Sequence, residues 1–138
     1  MIDKKMELDI KAVKSFIEFW NKFHSIYSDA ISKSIITKED EVKFIETKNM
    51  MRSKYSELTG MLEFKYAPHG RISDPVSDIL LIDNIRFISE KNLKKIEDDW
   101  RDSYVFLNNI LERLKSRKRR MMQFNPVGVF FKRILEKI

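Results

Sequence analysis

Residues that break helices are scarce in this chain, and this scarcity constrains its fold more than any other feature. The first 59 residues contain neither glycine nor proline, and the whole chain of 138 residues contains three of each. The tight turns of β-rich proteins depend on these two residues, because glycine reaches positive φ and proline presets φ. We therefore expect long helices, and the length predicts a single domain with one core.

Apolar residues recur at helical spacing through the first half of the chain. Alternating steps of four and three residues from Met6 to Ile31 predict one helix over about 4–35. Aromatic residues widen this stripe, which suits a helix that faces two neighbours. Thr37, followed by three acidic residues, is a good N-cap for a second helix over about 38–63. The short link between these helices predicts an antiparallel hairpin.

The second half predicts two further helices. Residues 64–74 contain one proline and one glycine and read as a loop. An apolar segment predicts a third helix over 75–88, and an amphipathic stripe predicts a fourth over 90–122. Because no breaker separates these two, one helix over 75–122 with dimerisation completing the bundle is the alternative. The predicted fold class is all-α: an antiparallel four-helix-type bundle over 1–124, followed by a short C-terminal amphipathic helix.

The last fourteen residues, 125–138, predict that basic amphipathic helix, packed on the same domain. It has one apolar face, the candidate docking face for a partner, which carries Val127, Phe130, Phe131, Ile134 and Ile138. A helix this short is marginal alone in water, so it needs a surface to bury against. It packs back onto the bundle, binds a partner or a second copy, or lies on an anionic membrane; the membrane is the least favoured of the three.

Positive charge is concentrated near the C-terminus. Residues 113–138 carry nine cations and one anion, whereas the other 112 residues carry 18 cations and 20 anions. Six of the cations follow closely on one another: Arg113, Lys115, Arg117, Lys118, Arg119 and Arg120. A helix C-terminus attracts cations, but only within its last turn. This run therefore predicts binding of nucleic acid or another polyanion through phosphate contacts with little sequence preference.

Few residues in the chain suit catalysis or metal binding. The absence of cysteine excludes disulfides, cysteine-ligated zinc, iron–sulfur clusters and thiol catalysis. His24 lies in an apolar seam, where a hydrogen-bonded core histidine is commoner than a ligand. His69 and Arg71 lie in the predicted loop without a companion constellation. The acidic run over 97–102 reads as a solvated face, because adjacent carboxylates on a helix point in different directions. We expect no metal and no cofactor.

Three functions are compatible with these patterns. The favoured one is a non-enzymatic helical module that binds nucleic acid or another polyanion through residues 113–120. The alternative is a protein–protein adaptor or assembly subunit that docks through the apolar face of 127–138 and forms homo-oligomers, such as a homodimer. The third is an enzyme or ligand-binding bundle that uses His24, His69 or Arg71. The chain contains no long apolar run, and its N-terminus lacks a signal-peptide pattern, so we expect a cytoplasmic protein.

Overall fold

The computed structural model describes residues 4–62 and 74–123, and within these ranges four α-helices pack together. They are α1 (Lys4–Ile31), α2 (Lys38–Leu62), α3 (Pro75–Leu80) and α4 (Glu90–Gln123). None of these helices has the length and apolarity to span a membrane. The predicted C-terminal helix and its docking face lie outside the described residues, as do His69 and Arg71.

Helix α1 lies between α2 and α4 and packs against both. Its start meets the end of α2, where Lys5 Nζ donates to the Met61 carbonyl oxygen at 3.3 Å. Its start also meets the end of α4, where Lys118 Nζ lies 3.5 Å from Glu7 Oε1. Helix α1 is therefore antiparallel to both of its neighbours. This position explains the wide apolar stripe, since one helix must cover two partners.

The core between these three helices is largely aromatic. Phe16, Trp20, Phe23 and Tyr27 follow one another along the buried face of α1. Trp20 packs on Trp100 of α4 with ring centroids 5.0 Å apart. The Trp20 indole N–H also donates to the buried Ser103 hydroxyl at 2.8 Å. Aromatic pairs at such distances add to the free energy of burial, so this cluster is expected to dominate the stability of the fold.

The hairpin between α1 and α2 is closed by a capping box in which aspartate replaces the usual glutamate. The Asp40 backbone N–H donates to Thr37 Oγ1 at 3.1 Å, and the Thr37 N–H donates to Asp40 Oδ2 at 3.0 Å. Thr37 therefore caps α2 as the sequence predicts. Lys33 Nζ donates to the same carboxylate at 2.7 Å, and these hydrogen bonds lower the pKa of Asp40 to about 2. Helix α1 ends at Ile31, before this cap and earlier than the predicted residue 35.

Helix α3 is shorter than the sequence predicts. It has six residues, begins behind the Asp74 N-cap and ends at Leu80, whereas the apolar segment predicted a helix to residue 88. Residues 81–89 are not helical. The alternative of one helix over 75–122 is therefore wrong, and a nine-residue connection separates α3 from α4.

Side chains of α2 hold this connection in its non-helical path. The Glu41 carboxylate accepts the backbone N–H groups of Ile85 at 3.0 Å and Arg86 at 3.1 Å. The buried Lys48 ammonium donates to the Ile82 carbonyl oxygen at 2.8 Å. These contacts satisfy backbone N–H and C=O groups that would form hydrogen bonds within the helix if α3 were longer. Glu41 and Lys48 are thus far in sequence from the residues that they contact. Their hydrogen bonds lie just beyond the point where α3 ends, although the apolar residues there favour a longer helix.

Candidate functional site

The cations of the predicted site lie on the last turns of α4, and residues 113–120 are called the basic end below. The arginines at 113, 117, 119 and 120 are all exposed. Lys115 and Lys118 are half-buried, with side chains 35% and 33% exposed. Leu114, on the opposite side of the helix, is fully buried. Leu114 thus anchors α4 to the core at this point, while the cations lie around the solvent-facing side of the helix.

Three contacts of the basic end lie at the surface. Lys115 Nζ lies 3.8 Å from Glu112 Oε1, and Lys118 Nζ lies near Glu7 of α1. An Arg119 guanidinium N–H donates to Ser116 Oγ at 3.1 Å. Surface ion pairs of this kind contribute little free energy, so a phosphate can replace these partners at small cost.

The opposite end of α4 is acidic, but its charges are balanced by near neighbours. Lys95 Nζ lies 3.0 Å from Asp99 Oδ2, and Arg101 contacts both Asp98 and Asp102, at 3.1 Å and 3.7 Å. Within residues 4–62 and 74–123, no three His, Asp or Glu side chains are grouped as metal ligands are. Helix α4 is therefore electrically asymmetric, with its excess of positive charge at the basic end.

His24 lies half-buried on the face of α1 that packs against α4. Its ring stacks on Trp100 with centroids 4.6 Å apart, and its Nδ1 lies 3.2 Å from the Tyr104 hydroxyl. Burial lowers the pKa of His24, which favours the neutral ring near pH 7. The histidine has a hydrogen-bond partner, in agreement with its interpretation as a packed histidine.

A cavity of about 390 Å³ opens between α1 and α4 beside this histidine. We call it the aromatic cavity; its walls include His24, Tyr27, Ile31, Glu97, Trp100 and Tyr104. The sequence placed His24 next to Tyr27 on one seam, but it did not indicate which residues of α4 face them. The spacing of Trp100 and Tyr104, one turn apart on the apolar stripe of α4, was the available signal.

Comparisons with models of protein families, with curated proteins and with solved structures gave no match to this chain. Inferences about function therefore depend on the two features just described, the basic end and the aromatic cavity.

Proposed function

We propose that this chain is a non-enzymatic helical module, and that its basic end binds nucleic acid or another polyanion. The observation that supports the proposal best is the exposure of four arginines on one helical segment whose opposite side is anchored in the core. In the antiparallel bundle that we infer, this segment projects from one end of the molecule. A cytoplasmic location belongs to the same proposal.

The spacing of the arginines suits a phosphate backbone. At 100° per residue, Arg113, Arg117 and Arg120 fall on one side of α4, and a rise of 1.5 Å per residue separates the first from the last by roughly 10 Å. One DNA strand carries a phosphate for about every 3.4 Å of helix axis. One side of the basic end thus spans about three phosphates of a strand. Contacts of this kind position a protein without reading the bases.

Stabilisation of the helix terminus does not explain the whole run. The favourable effect of a cation on the helix dipole fades beyond the last turn. Helix α4 ends at Gln123, so Arg113, Lys115 and Arg117 lie more than one turn before its end. Only one carboxylate, Glu112, accompanies the six cations over 112–120. The charge therefore exceeds what capping or pairing within the helix requires.

Fluorescence anisotropy with labelled duplex DNA and single-stranded RNA, at two salt concentrations, tests this proposal. We expect sub-micromolar binding at low salt that weakens steeply as salt rises. Replacing Arg117, Arg119 and Arg120 by Gln should reduce the slope of log K against log salt by about 2.7 if each contacts one phosphate of duplex DNA. Competition by heparin distinguishes a general polyanion site from one that prefers nucleic acid.

The matched control removes three exposed cations outside the basic end: Lys38→Gln, Lys91→Gln and Lys94→Gln. This variant has the same net charge as the arginine variant, and its salt slope should stay near that of the parent. No binding at low salt, or equal losses in both variants, would overturn the proposal.

The second candidate is a protein–protein adaptor that docks through the apolar face of 127–138 and self-associates. It is favoured by exposed apolar side chains at the same end of the molecule: Leu8, Met121 and Met122 are 58%, 44% and 42% exposed. Deletion of residues 124–138 separates the two candidates. If docking is the function, the deletion abolishes self-association or partner capture and leaves nucleic-acid binding unchanged.

A further inference from the structure

We propose that the aromatic cavity binds a small organic cation, an ammonium group on an apolar or aromatic body, with Glu97 as its counter-ion. This inference is independent of the polyanion proposal, because the cavity lies at the C-terminal part of α1 while the basic end packs near its start. The volume of about 390 Å³ falls within the range of small-molecule sites.

Two of the four buried side-chain polar atoms that lack a hydrogen-bond partner among the described residues belong to side chains that line this cavity. Tyr27 Oη and Trp100 Nε1 are buried and have no hydrogen-bond partner, although both residues line the cavity. Elsewhere in the same core the same groups are satisfied: the Tyr55 hydroxyl donates to Asp74 at 2.6 Å, and the Trp20 N–H donates to Ser103. An unpaired buried polar group is costly, and those in native proteins are commonly completed by water or a ligand. A bound molecule that donates a hydrogen bond would complete Tyr27 Oη, whereas the Trp100 indole N–H is itself a donor and gains no partner from an ammonium group.

The charge around the cavity favours a cation over an anion. Glu97 is the acidic residue of its wall, and its charge reaches the neighbouring phenol: burial and then Glu97 raise the pKa of Tyr27 to about 12. Arg101 also borders the cavity, but it is 69% exposed and contacts two carboxylates, those of Asp98 and Asp102. The neutral form of His24, which its lowered pKa favours, adds no opposing charge.

The chemistry of the walls assigns a place to each part of such a ligand. The ammonium N–H groups donate to the Glu97 carboxylate and to Tyr27 Oη, so that the phenol oxygen gains a partner. The apolar body packs against His24 and Trp100, which already stack on each other. Aromatic rings attract a nearby cation through their negative faces. Tyr104 keeps its contact with His24 and contributes ring surface.

Isothermal titration of the full chain with three probes of the same shape tests this proposal. The probes are phenethylamine, 2-phenylethanol and phenylacetate, which share a phenyl body and differ in charge. We expect phenethylamine to bind most tightly and phenylacetate least. For a molecule of about nine non-hydrogen atoms, even a low ligand efficiency corresponds to a Kd of about 10 mM. The proposal is overturned if phenethylamine does not bind at that level, or if phenylacetate binds as well.

Variants locate the site and identify its counter-ion. Glu97→Gln should weaken phenethylamine by about fivefold, the upper range for one exposed ion pair, and should leave 2-phenylethanol unchanged. Glu112→Gln removes an exposed carboxylate at the far end of α4 and should change neither. Equal effects of the two variants would show that the overall charge, and not the cavity, attracts the amine.

Tyr27→Phe tests the unpaired hydroxyl separately from the ligand. It keeps the ring and removes Oη, so we expect weaker phenethylamine binding together with an unchanged or raised melting temperature of the free protein. A clear loss of stability in the free protein would mean that Oη already has a partner, which contradicts the proposal. Circular dichroism verifies that each variant is folded.

Discussion

The aromatic interface between α1 and α4 and the basic end of α4 belong to the same pair of helices, but they are built in opposite ways. At the interface, Trp20 and Trp100 are almost fully buried, and ring contacts connect them to Phe23, His24 and Tyr27. At the basic end, the arginines are exposed, and six cations follow a single carboxylate, that of Glu112, along the sequence. If the basic end binds a polyanion as proposed, the contrast predicts that stability and binding are separable, because burial supplies the first and exposed positive charge supplies the second.

The largest effect on stability is expected from truncation of Trp100 at the interface. Its ring lies within 5.4 Å, centroid to centroid, of Trp20, Phe23, His24 and Tyr27. Trp100→Ala should lower the free energy of unfolding by about 3–5 kcal/mol, because the cavity removes packing from all these rings. Chemical denaturation monitored by circular dichroism measures the loss. A change below about 1 kcal/mol would mean that the rings do not pack as described.

The second largest effect on stability is expected from a substitution that loosens the connection between α3 and α4. Glu41→Gln keeps the shape of the side chain but removes the charge that faces two backbone N–H groups and Arg86. Hydrogen bonds to charged groups contribute about 1.5–3 kcal/mol, so a substantial part of this amount should be lost. Hydrogen exchange should accelerate at Ile85 and Arg86 more than in α4. Unchanged exchange at these amides would contradict the anchoring role of Glu41.

A smaller effect is expected from pH through His24. Burial lowers its pKa from the ordinary 6.5, so the unfolded chain takes up this proton more readily than the folded one. The stabilisation is therefore present above pH 6.5 and is lost as the pH falls through the lowered value. Melting temperatures at pH 7.5 and 5.5 measure this loss, and His24→Phe, which keeps a ring against Trp100, should show less of it. Parallel pH profiles for the two proteins would refute the assignment.

The smallest effect on stability is expected at the basic end. Replacing Arg117, Arg119 and Arg120 by Gln should change the unfolding free energy by less than about 0.5 kcal/mol per site, since substitutions of exposed surface side chains usually have small effects. Relief of repulsion between the cations would even raise stability. The same variant is the one expected to lose its salt-dependent binding. If this triple variant were strongly destabilised, the basic end would contribute to stability as the aromatic interface does, and the two regions would not differ in this respect.

Local sequence patterns were sufficient for the long helices. The observed bounds of α1, α2 and α4 lie within four residues of the predicted ones, because apolar spacing and the Thr37 cap act over a few residues. The same patterns overestimated α3, whose apolar residues favour a helix beyond Leu80. The predicted polyanion site stays a prediction, although the structure places its arginines at the surface. The candidate docking face over 127–138 lies outside the described residues.

The sequence by itself determined the helical class of the described residues, the three long helices and the uneven charge of α4, since each of these follows from residue type and short-range spacing. The end of α3 and the aromatic cavity were decided only by the tertiary structure. Glu41 contacts a backbone 44 residues away, and His24 meets a tyrosine 80 residues away. Such contacts depend on how helices are placed side by side, which a helical period does not specify. The two unpaired polar atoms beside the cavity became visible only once that placement was known.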